Sequence, residues 1–226
     1  MIRIAVLASG SGSNLQALLD ACAAGRIDGR VVVVAGNVPG ALALERARGA
    51  GVQTELLPSK GTADRAAYDA TLVERLAAHR PDLVCLAGWM RLVTPGFLRA
   101  FGPTPATRGC PRVMNVHPGL LPSFPGLHAQ RQAVAYGARF AGATVHFVDE
   151  GTDTGPIIAQ AVVPVLDGDD DAALARRILA EEHRLYPKAV SWFAAGRLAL
   201  AGRRVTVDGA RPPEARAWVH PWDEER

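Results

Sequence analysis

Short, nearly continuous apolar runs alternate in the first half of the chain with longer segments whose apolar positions recur every three or four residues. The runs at 2–8, 31–37, 82–90 and 113–117 are rich in valine, isoleucine and leucine, and a shorter one covers 54–58. Apolar strands separated by amphipathic helices are typical of a parallel sheet covered on both faces. The pattern therefore predicts a three-layer α/β fold with a mostly parallel, twisted sheet and a Rossmann-like N-terminal half.

The second half of the chain has a different pattern. Residues 142–150 alternate between apolar and polar positions, and a second apolar run at 156–166 follows after a short loop. Strands joined this closely pair antiparallel, since a parallel crossover needs about a dozen residues. A helix with an aspartate cap is predicted within 167–187. Because no linker divides them, residues 1–210 are expected to form one domain, and the Pro-rich stretch 211–226 a loosely ordered tail.

Composition narrows the classes of function. Of the 226 residues, 49% are hydrophobic, which is enough for a substantial core, and the net charge of +3 is mild. The basic residues are dispersed, so nucleic acid is not an expected partner. The three cysteines, Cys22, Cys85 and Cys110, form no CxxC pair and are interpreted as reduced thiols. No apolar window has the length of a membrane span, so we expect no membrane partner and a cytoplasmic location.

A glycine-rich turn, "ASGSGSN" at 8–14, lies between the first strand and the first helix. This arrangement directs free backbone N–H groups at an anion. Leu15 stands where a dinucleotide-binding motif has its third glycine, and the GK[ST] of a phosphate-binding Walker loop is missing. The turn predicts that Gly12, Ser13 and Asn14 hold one phosphate or similar anion, and a plain tight turn is the alternative.

The segment "AGWMRLVTPGF" (87–97) follows a buried strand, whose carboxyl end opens onto the crevice where α/β proteins bind ligands. Met90 and Leu92 suit an apolar slot, and Arg91 adds a donor. Trp89 belongs either to that slot or to the core. A core strand that turns into a proline-capped helix explains the same residues equally well.

Asn115 and His117 lie two apart in a predicted strand, so their side chains point to the same side. An amide and an imidazole placed together suit the stabilisation of a developing oxyanion and proton transfer. The rigid Pro-rich loop that follows favours a catalytic over a structural histidine. The loop at 149–153 offers Asp149, Glu150 and Asp153, and an acid beside a histidine favours its charged form. Turn aspartates are also common for backbone reasons alone.

Metal and serine chemistry are not indicated. The sequence has no HxxxH or HExxH motif and no clustered Cys/His spacing, so a catalytic metal is not expected. It also has no GxSxG elbow, so the serines near the N-terminus are interpreted as turn residues.

Taken together, "SGSGSNLQA", "LAGWMRLV", "NVHPGLLPSFPGLHAQRQA", "VHFVDEGTDTGPIIAQ" and "EEHRLYP" resemble the folate-dependent formyltransferases, in particular the glycinamide ribonucleotide formyltransferase branch. The resemblance runs in order over nearly the whole chain. It implies formyl transfer from 10-formyltetrahydrofolate, a co-substrate, to the amine of glycinamide ribonucleotide in purine biosynthesis. It also implies small-molecule substrates as the partners, no metal, and a monomer or homodimer.

The resemblance implies roles for individual residues. The implied catalytic trio is Asn115, His117 and Asp153. The implied contacts to glycinamide ribonucleotide are Gly12, Ser13 and Asn14 for its phosphate and Glu182 for its ribose. The implied folate-binding residues are Arg65, Met90, Arg91, Leu92, Val93, Asn115, Asp149, Glu150, Gly151, Thr152 and Asp153. His128, in "GLHA", corresponds to a further histidine that lines the active-site region.

The chain departs from the family pattern in two places. Trp89 replaces the usual phenylalanine, which alters packing and leaves the chemistry unchanged. The segment 101–112 looks longer than usual and is interpreted as a surface loop.

Three other functions share parts of this pattern. A formyltetrahydrofolate hydrolase would use the same trio with water as nucleophile, but usually carries a further N-terminal domain, for which the first strand at residue 2 leaves no room. A methionyl-tRNA formyltransferase would need a C-terminal tRNA-binding domain. A nicotinamide-dependent oxidoreductase is disfavoured because Leu15 stands where its motif has the third glycine. A non-catalytic nucleotide-binding module is disfavoured because the trio is intact.

Overall fold

The structure is a computed structural model that describes residues 1–62 and 64–210. Its main strands are β1 (Ile2–Ala8), β2 (Gly29–Gly36), β3 (Gln53–Leu56), β4 (Leu83–Leu86), β5 (Val113–His117), β6 (Phe140–Phe147) and β7 (Ile157–Pro164). They form one seven-stranded sheet in the order β3-β2-β1-β4-β5-β6-β7. The first five strands in the chain are parallel, β6 is antiparallel to β5, and β7 is antiparallel to β6. The predicted mostly parallel α/β fold with an antiparallel strand pair is confirmed.

Helices cover the sheet on both faces. They are α1 (Ser13–Ala23), α2 (Leu42–Gly49), α3 (Arg65–Ala78), α4 (Pro95–Ala100), α5 (Ala129–Tyr136) and α6 (Asp171–Ala194). On one face, Leu15 of α1 and Tyr186 of α6 pack in a hydrophobic cluster with the residues of β1 that point to that face. On the other face, Leu72 of α3 and Phe97 of α4 form a second cluster with the alternate strand residues. Asp170 caps α6 as predicted, accepting a hydrogen bond from the Ala173 N–H at 2.7 Å.

Helix α6 continues past Pro187, where the sequence predicted that it would stop. Proline lacks the N–H of a helix interior and usually ends a helix. Here Ala189 and Val190 are fully buried, so the next turns of the helix keep packing against the sheet. Burial of this face therefore outweighs the missing hydrogen bond.

A second, two-stranded antiparallel sheet follows α6 and was not predicted. It consists of β8 (Leu198–Ala201) and β9 (Arg204–Val207). The segment 101–112 packs against it, since the Leu200 N–H donates to the carbonyl oxygen of Arg108 at 3.2 Å. The segment lies at the surface as interpreted, with most of its residues exposed or half-buried, while the buried side chains of Phe101 and Cys110 anchor it.

Two predictions about the chain as a whole stay open. The tail at 211–226 lies outside the described residues, and the single domain at 1–210 stays a prediction. No helix among residues 1–62 and 64–210 is both long enough and apolar enough to cross a lipid bilayer.

Candidate active site

The middle of the sheet carries a row of polar side chains on one face. In β5, Met114 and Val116 point into the core beneath α6, so Asn115 and His117 point to the opposite face. The antiparallel register places His146 opposite Asn115, and opposite residues of two paired strands share a face. The predicted joint orientation of Asn115 and His117 is present.

Asp153 reaches this polar face from the loop between β6 and β7. One carboxylate oxygen, Oδ2, lies 3.2 Å from His117 Nδ1 and accepts a hydrogen bond from the Gly126 N–H at 2.8 Å. The other, Oδ1, lies 3.5 Å from Asn115 Nδ2. Asp153 has a positive φ of 54°, so the loop turns sharply at this residue and folds back over β5. The three residues of the implied catalytic trio therefore lie together.

His117 is almost completely buried and has an acceptor at each ring nitrogen. Its Nε2 lies 2.9 Å from the Phe124 carbonyl oxygen, and its Nδ1 faces Asp153. Burial lowers the pKa of His117, and the charge of Asp153 and the Phe124 carbonyl oppose this shift only in part. Both acceptors receive a hydrogen bond only when the ring carries a hydrogen on each nitrogen. The geometry therefore suits an imidazolium, whereas burial makes this charged form harder to reach.

His146 completes the cluster and was not predicted from the sequence. Its Nδ1 lies 2.8 Å from the Phe147 carbonyl oxygen, so this nitrogen carries a hydrogen. In a neutral ring the other nitrogen, Nε2, then accepts from the Asn115 amide, whose Nδ2 lies 3.1 Å away. Only the register between β5 and β6 reveals this contact, and that register depends on tertiary structure.

The Pro-rich loop after His117 forms a wall of the site. Thr144 Oγ1 donates to the Gly119 carbonyl oxygen at 2.6 Å and accepts from the Leu121 N–H at 3.1 Å. Gln160 holds the same loop through the Leu121 carbonyl oxygen at 2.8 Å. The loop thus carries Phe124 and Gly126 to their contacts with His117 and Asp153.

A cavity of about 180 Å³ opens at the glycine-rich turn, lined by residues 9–14 together with Ala87, Gly88 and Met90. Gly12 is the residue before α1, has φ 71°, and offers no side chain to cap the helix. The first turn of α1 also contains no acidic residue. The positive end of the helix is therefore free to hold an anion.

Asn14 and Glu182 form a buried pair beside this turn. The Asn14 Nδ2 donates to Glu182 Oε2 at 2.6 Å. Burial raises the pKa of Glu182, and the hydrogen bond from Asn14 partly opposes this. The Asn14 Oδ1 is buried and has no hydrogen-bond partner among the residues that the structure describes. The pair thus lies beside the cavity, of which Asn14 is a lining residue.

The implied folate-binding residues fall into two groups. Arg65, at the start of α3, donates to the Leu92 carbonyl oxygen at 2.9 Å. The side chains of Met90 and Leu92 are exposed, whereas Val93 is buried. Trp89 is also buried and belongs to the core, which decides between its two predicted positions. The Arg91 guanidinium stacks over another core residue, the Tyr68 ring, with 4.3 Å to the ring centroid.

The second group is the loop from Asp149 to Asp153. Asp149 Oδ1 accepts from the Gly151 N–H at 3.2 Å and from Thr154 Oγ1 at 2.6 Å, so the loop is held by its own hydrogen bonds. Glu150 and Thr152 are exposed.

His128 is not brought into the cluster. It precedes α5 with φ 60° and has an exposed side chain that makes no hydrogen bond within the described part of the chain. Among residues 1–62 and 64–210, no group of three or more His, Cys, Asp and Glu side chains could hold a metal ion.

The family model for formyl transferases matches residues 2–190. The chain belongs to this family. It is 43% identical to the phosphoribosylglycinamide formyltransferase of Escherichia coli K12 over 217 residues, which are 96% of this chain and 99% of that protein.

Solved structures agree with this membership. Glycinamide ribonucleotide transformylase 1 from Symbiobacterium toebii has a TM-score of 0.86 and 57% identity, covering 92% of this chain and 94% of its own. A formyltetrahydrofolate deformylase from Pseudomonas syringae is more distant, with a TM-score of 0.81 and 25% identity over 91% of this chain and 65% of its own. The resemblance stated from the sequence is confirmed.

Proposed function

We propose that this chain transfers the formyl group of 10-formyltetrahydrofolate to the amino group of glycinamide ribonucleotide. The products are formylglycinamide ribonucleotide and tetrahydrofolate, in purine biosynthesis. The observation that carries the proposal is the convergence of Asn115, His117 and Asp153 on one face of β5. Asn115 pairs with Leu86, directly before Ala87, which lines the cavity at the glycine-rich turn. The trio therefore adjoins the predicted anion site.

Glycinamide ribonucleotide is held at the glycine-rich turn. The backbone of Gly12, Ser13 and Asn14, at the positive end of α1, binds the phosphate. Glu182 and the Asn14 Oδ1 accept hydrogen bonds from the ribose hydroxyl groups. This leaves the amino group of the substrate directed along the cavity toward β5.

The folate substrate lies between the two groups of residues described above. The exposed side chains of Met90 and Leu92 supply apolar surface for its ring system, with Val93 beneath them. Arg65 holds this segment through Leu92, and Arg91 adds positive charge. The loop Asp149–Asp153 closes the other side, and His128 lies at the edge of the region.

The reaction begins when the amino group attacks the formyl carbon and negative charge develops on the formyl oxygen. Asn115 donates a hydrogen bond to this oxygen. Its contact with Asp153 is long at 3.5 Å, so this N–H is readily redirected. Loss of one such donor costs ~3 kcal/mol of transition-state stabilisation, which is roughly a hundredfold in rate.

Protonated His117 supplies the second donor. One of its N–H groups leaves the Phe124 carbonyl or Asp153 and turns to the formyl oxygen. The attacking amine becomes cationic and releases a proton, and the departing folate nitrogen takes one up. Ionised Asp153 favours the charged ring and helps to move this proton. Holding both substrates side by side makes a covalent enzyme intermediate unnecessary.

Several expectations from the sequence accompany the proposal. The substrates are small molecules, no metal takes part, and neither nucleic acid nor membrane is a partner. The enzyme acts in the cytoplasm as a monomer or homodimer.

The test is the dependence of folate release on the amine substrate. The protein is mixed with 10-formyltetrahydrofolate, and tetrahydrofolate absorbance is followed with and without glycinamide ribonucleotide, with His117→Ala as the background control. We expect release only when glycinamide ribonucleotide is present. Equal release in its absence would instead identify a formyltetrahydrofolate hydrolase.

A further inference from the structure

Helix α2 holds the glycine-rich turn from outside. The Ala43 N–H donates to the Gly10 carbonyl oxygen at 3.1 Å, and Arg46 Nε donates to the Ser11 carbonyl oxygen at 2.9 Å. Gly12 is pressed against the same helix, since a Cβ there would lie 2.7 Å from the Ala43 Cα. Two consecutive carbonyl groups of the turn are therefore directed at α2.

This direction fixes where the N–H groups of the turn point. In a trans peptide the carbonyl oxygen and the N–H of the next residue point in opposite directions. With the carbonyls of Gly10 and Ser11 directed at α2, the N–H groups of Ser11 and Gly12 point away from that helix. The cavity on this side is lined by both residues and by no residue of α2. Within the part of the chain that the structure describes, neither N–H has a hydrogen-bond acceptor.

Arg46 is itself held in position. Its Nη1 donates to Gln16 Oε1 at 3.2 Å, and the Gln16 Nε2 donates to Asp20 Oδ1 at 2.9 Å. The guanidinium thus connects α2 with the first turns of α1. It also leaves a positive charge one peptide away from the predicted phosphate site.

We propose that Arg46 is a positioning residue for the substrate phosphate, an inference that rests on the proposed function. By binding the Ser11 carbonyl, Arg46 orients the peptide whose N–H, on Gly12, faces the phosphate. Its charge adds to the positive end of α1. Lysine cannot reproduce both contacts, because it lacks the planar fork of the guanidinium.

The test separates phosphate binding from catalysis. Arg46→Met keeps the apolar stem and removes the donors and the charge. We expect a rise of about tenfold in the KM for glycinamide ribonucleotide, as for loss of a charged hydrogen bond. We expect kcat and the KM for 10-formyltetrahydrofolate to be unchanged. Arg48→Met is the matched control, since Arg48 lies on the same helix, is exposed and makes no side-chain hydrogen bond among the described residues.

Two further measurements test whether the expected rise in the KM for glycinamide ribonucleotide comes from weaker phosphate binding. With glycinamide riboside, which lacks the phosphate, the wild type and Arg46→Met are expected to have the same KM, and a difference as large as with the ribonucleotide would overturn the proposal. Arg46→Lys is expected to bind more weakly than wild type, and equal binding would show that charge alone suffices. Calorimetric titration with glycinamide ribonucleotide reports the effect without turnover. A wild type that binds the ribonucleotide in this assay without formylating it would contradict the proposed function and leave the role of Arg46 intact.

Discussion

Asp153 is the residue that joins the polar face of β5 and β6 to the loop that covers it. Its carboxylate contacts His117, His146, Asn115 and the Gly126 N–H. Burial alone would raise the pKa of Asp153, but the neighbouring His146, the hydrogen bond from the Gly126 N–H and the nearby His117 outweigh it, so the pKa is lowered. Asp153 is therefore ionised at neutral pH, as its support of a charged His117 requires.

Asp153→Asn tests this support through the pH dependence of the rate. The proposed mechanism needs protonated His117, so kcat falls as pH rises through the pKa of that residue. Asp153 raises this pKa against the effect of burial. Removing its charge lowers the pKa further, and we expect a severely reduced kcat whose decline begins at lower pH. Rates measured between about pH 5 and pH 9 check this, since histidine titrates in that range. An unchanged profile would show that the carboxylate does not control His117.

Asn115→Ala and His117→Ala test the two donors to the formyl oxygen. Because each donor acts mainly in the transition state, we expect kcat to fall by roughly a hundredfold or more. The dissociation constant of glycinamide ribonucleotide, measured by titration, is expected to change little, since neither residue belongs to the phosphate or ribose contacts. Near-normal turnover in either variant would refute the assigned role.

At the scale of elements, the β8–β9 hairpin braces the loop that carries Asp153. Arg203, in the turn of the hairpin, donates to the Thr154 carbonyl oxygen at 2.6 Å. That carbonyl follows directly after the positive φ of Asp153. We expect Arg203→Ala to lower kcat/KM for 10-formyltetrahydrofolate by about two- to tenfold, as for loss of one hydrogen bond, without weakening binding of glycinamide ribonucleotide. Steady-state kinetics check this against Arg204→Ala, whose exposed side chain makes no hydrogen bond within the described ranges. Equal kinetics in the two variants would exclude a bracing role.

Local sequence patterns determine some elements of the fold and leave others undetermined. The strands β1 and β5 match their predicted runs because most of their residues are buried and apolar, with Asn115 and His117 as the polar exceptions in β5. The predicted helix ended at residue 187, whereas α6 continues to Ala194 because the sheet buries Val190, a contact that the local sequence does not show. The hairpin was missed because its strands are short and half exposed. The contact of His146 with Asn115 depends on strand register, which no local pattern contains.

At the scale of the whole molecule, one face of the sheet packs against α6 and the other carries the candidate site. The face beneath α6 is apolar and carries Met114 and Val116, whereas the opposite face of the same strands carries the polar cluster. A rigid apolar layer behind β5 restricts the backbone from which Asn115 and His117 project. Stability and the geometry of the site are therefore linked through α6.

Tyr186 of α6 makes that link and allows it to be measured. Its ring is fully buried, and its hydroxyl oxygen lies 2.9 Å from the Met114 carbonyl oxygen and 3.1 Å from the Leu86 carbonyl oxygen, so its single hydrogen is shared between these two acceptors. Tyr186→Phe keeps the ring and removes this donor to β4 and β5. We expect the free energy of unfolding in urea to fall by about 1 kcal/mol, the usual net worth of one hydrogen bond. Tyr136→Phe is the matched control, because Tyr136 is 81% exposed. A loss in Tyr186→Phe no larger than in this control would show that packing alone, without the hydroxyl, holds α6 against the sheet.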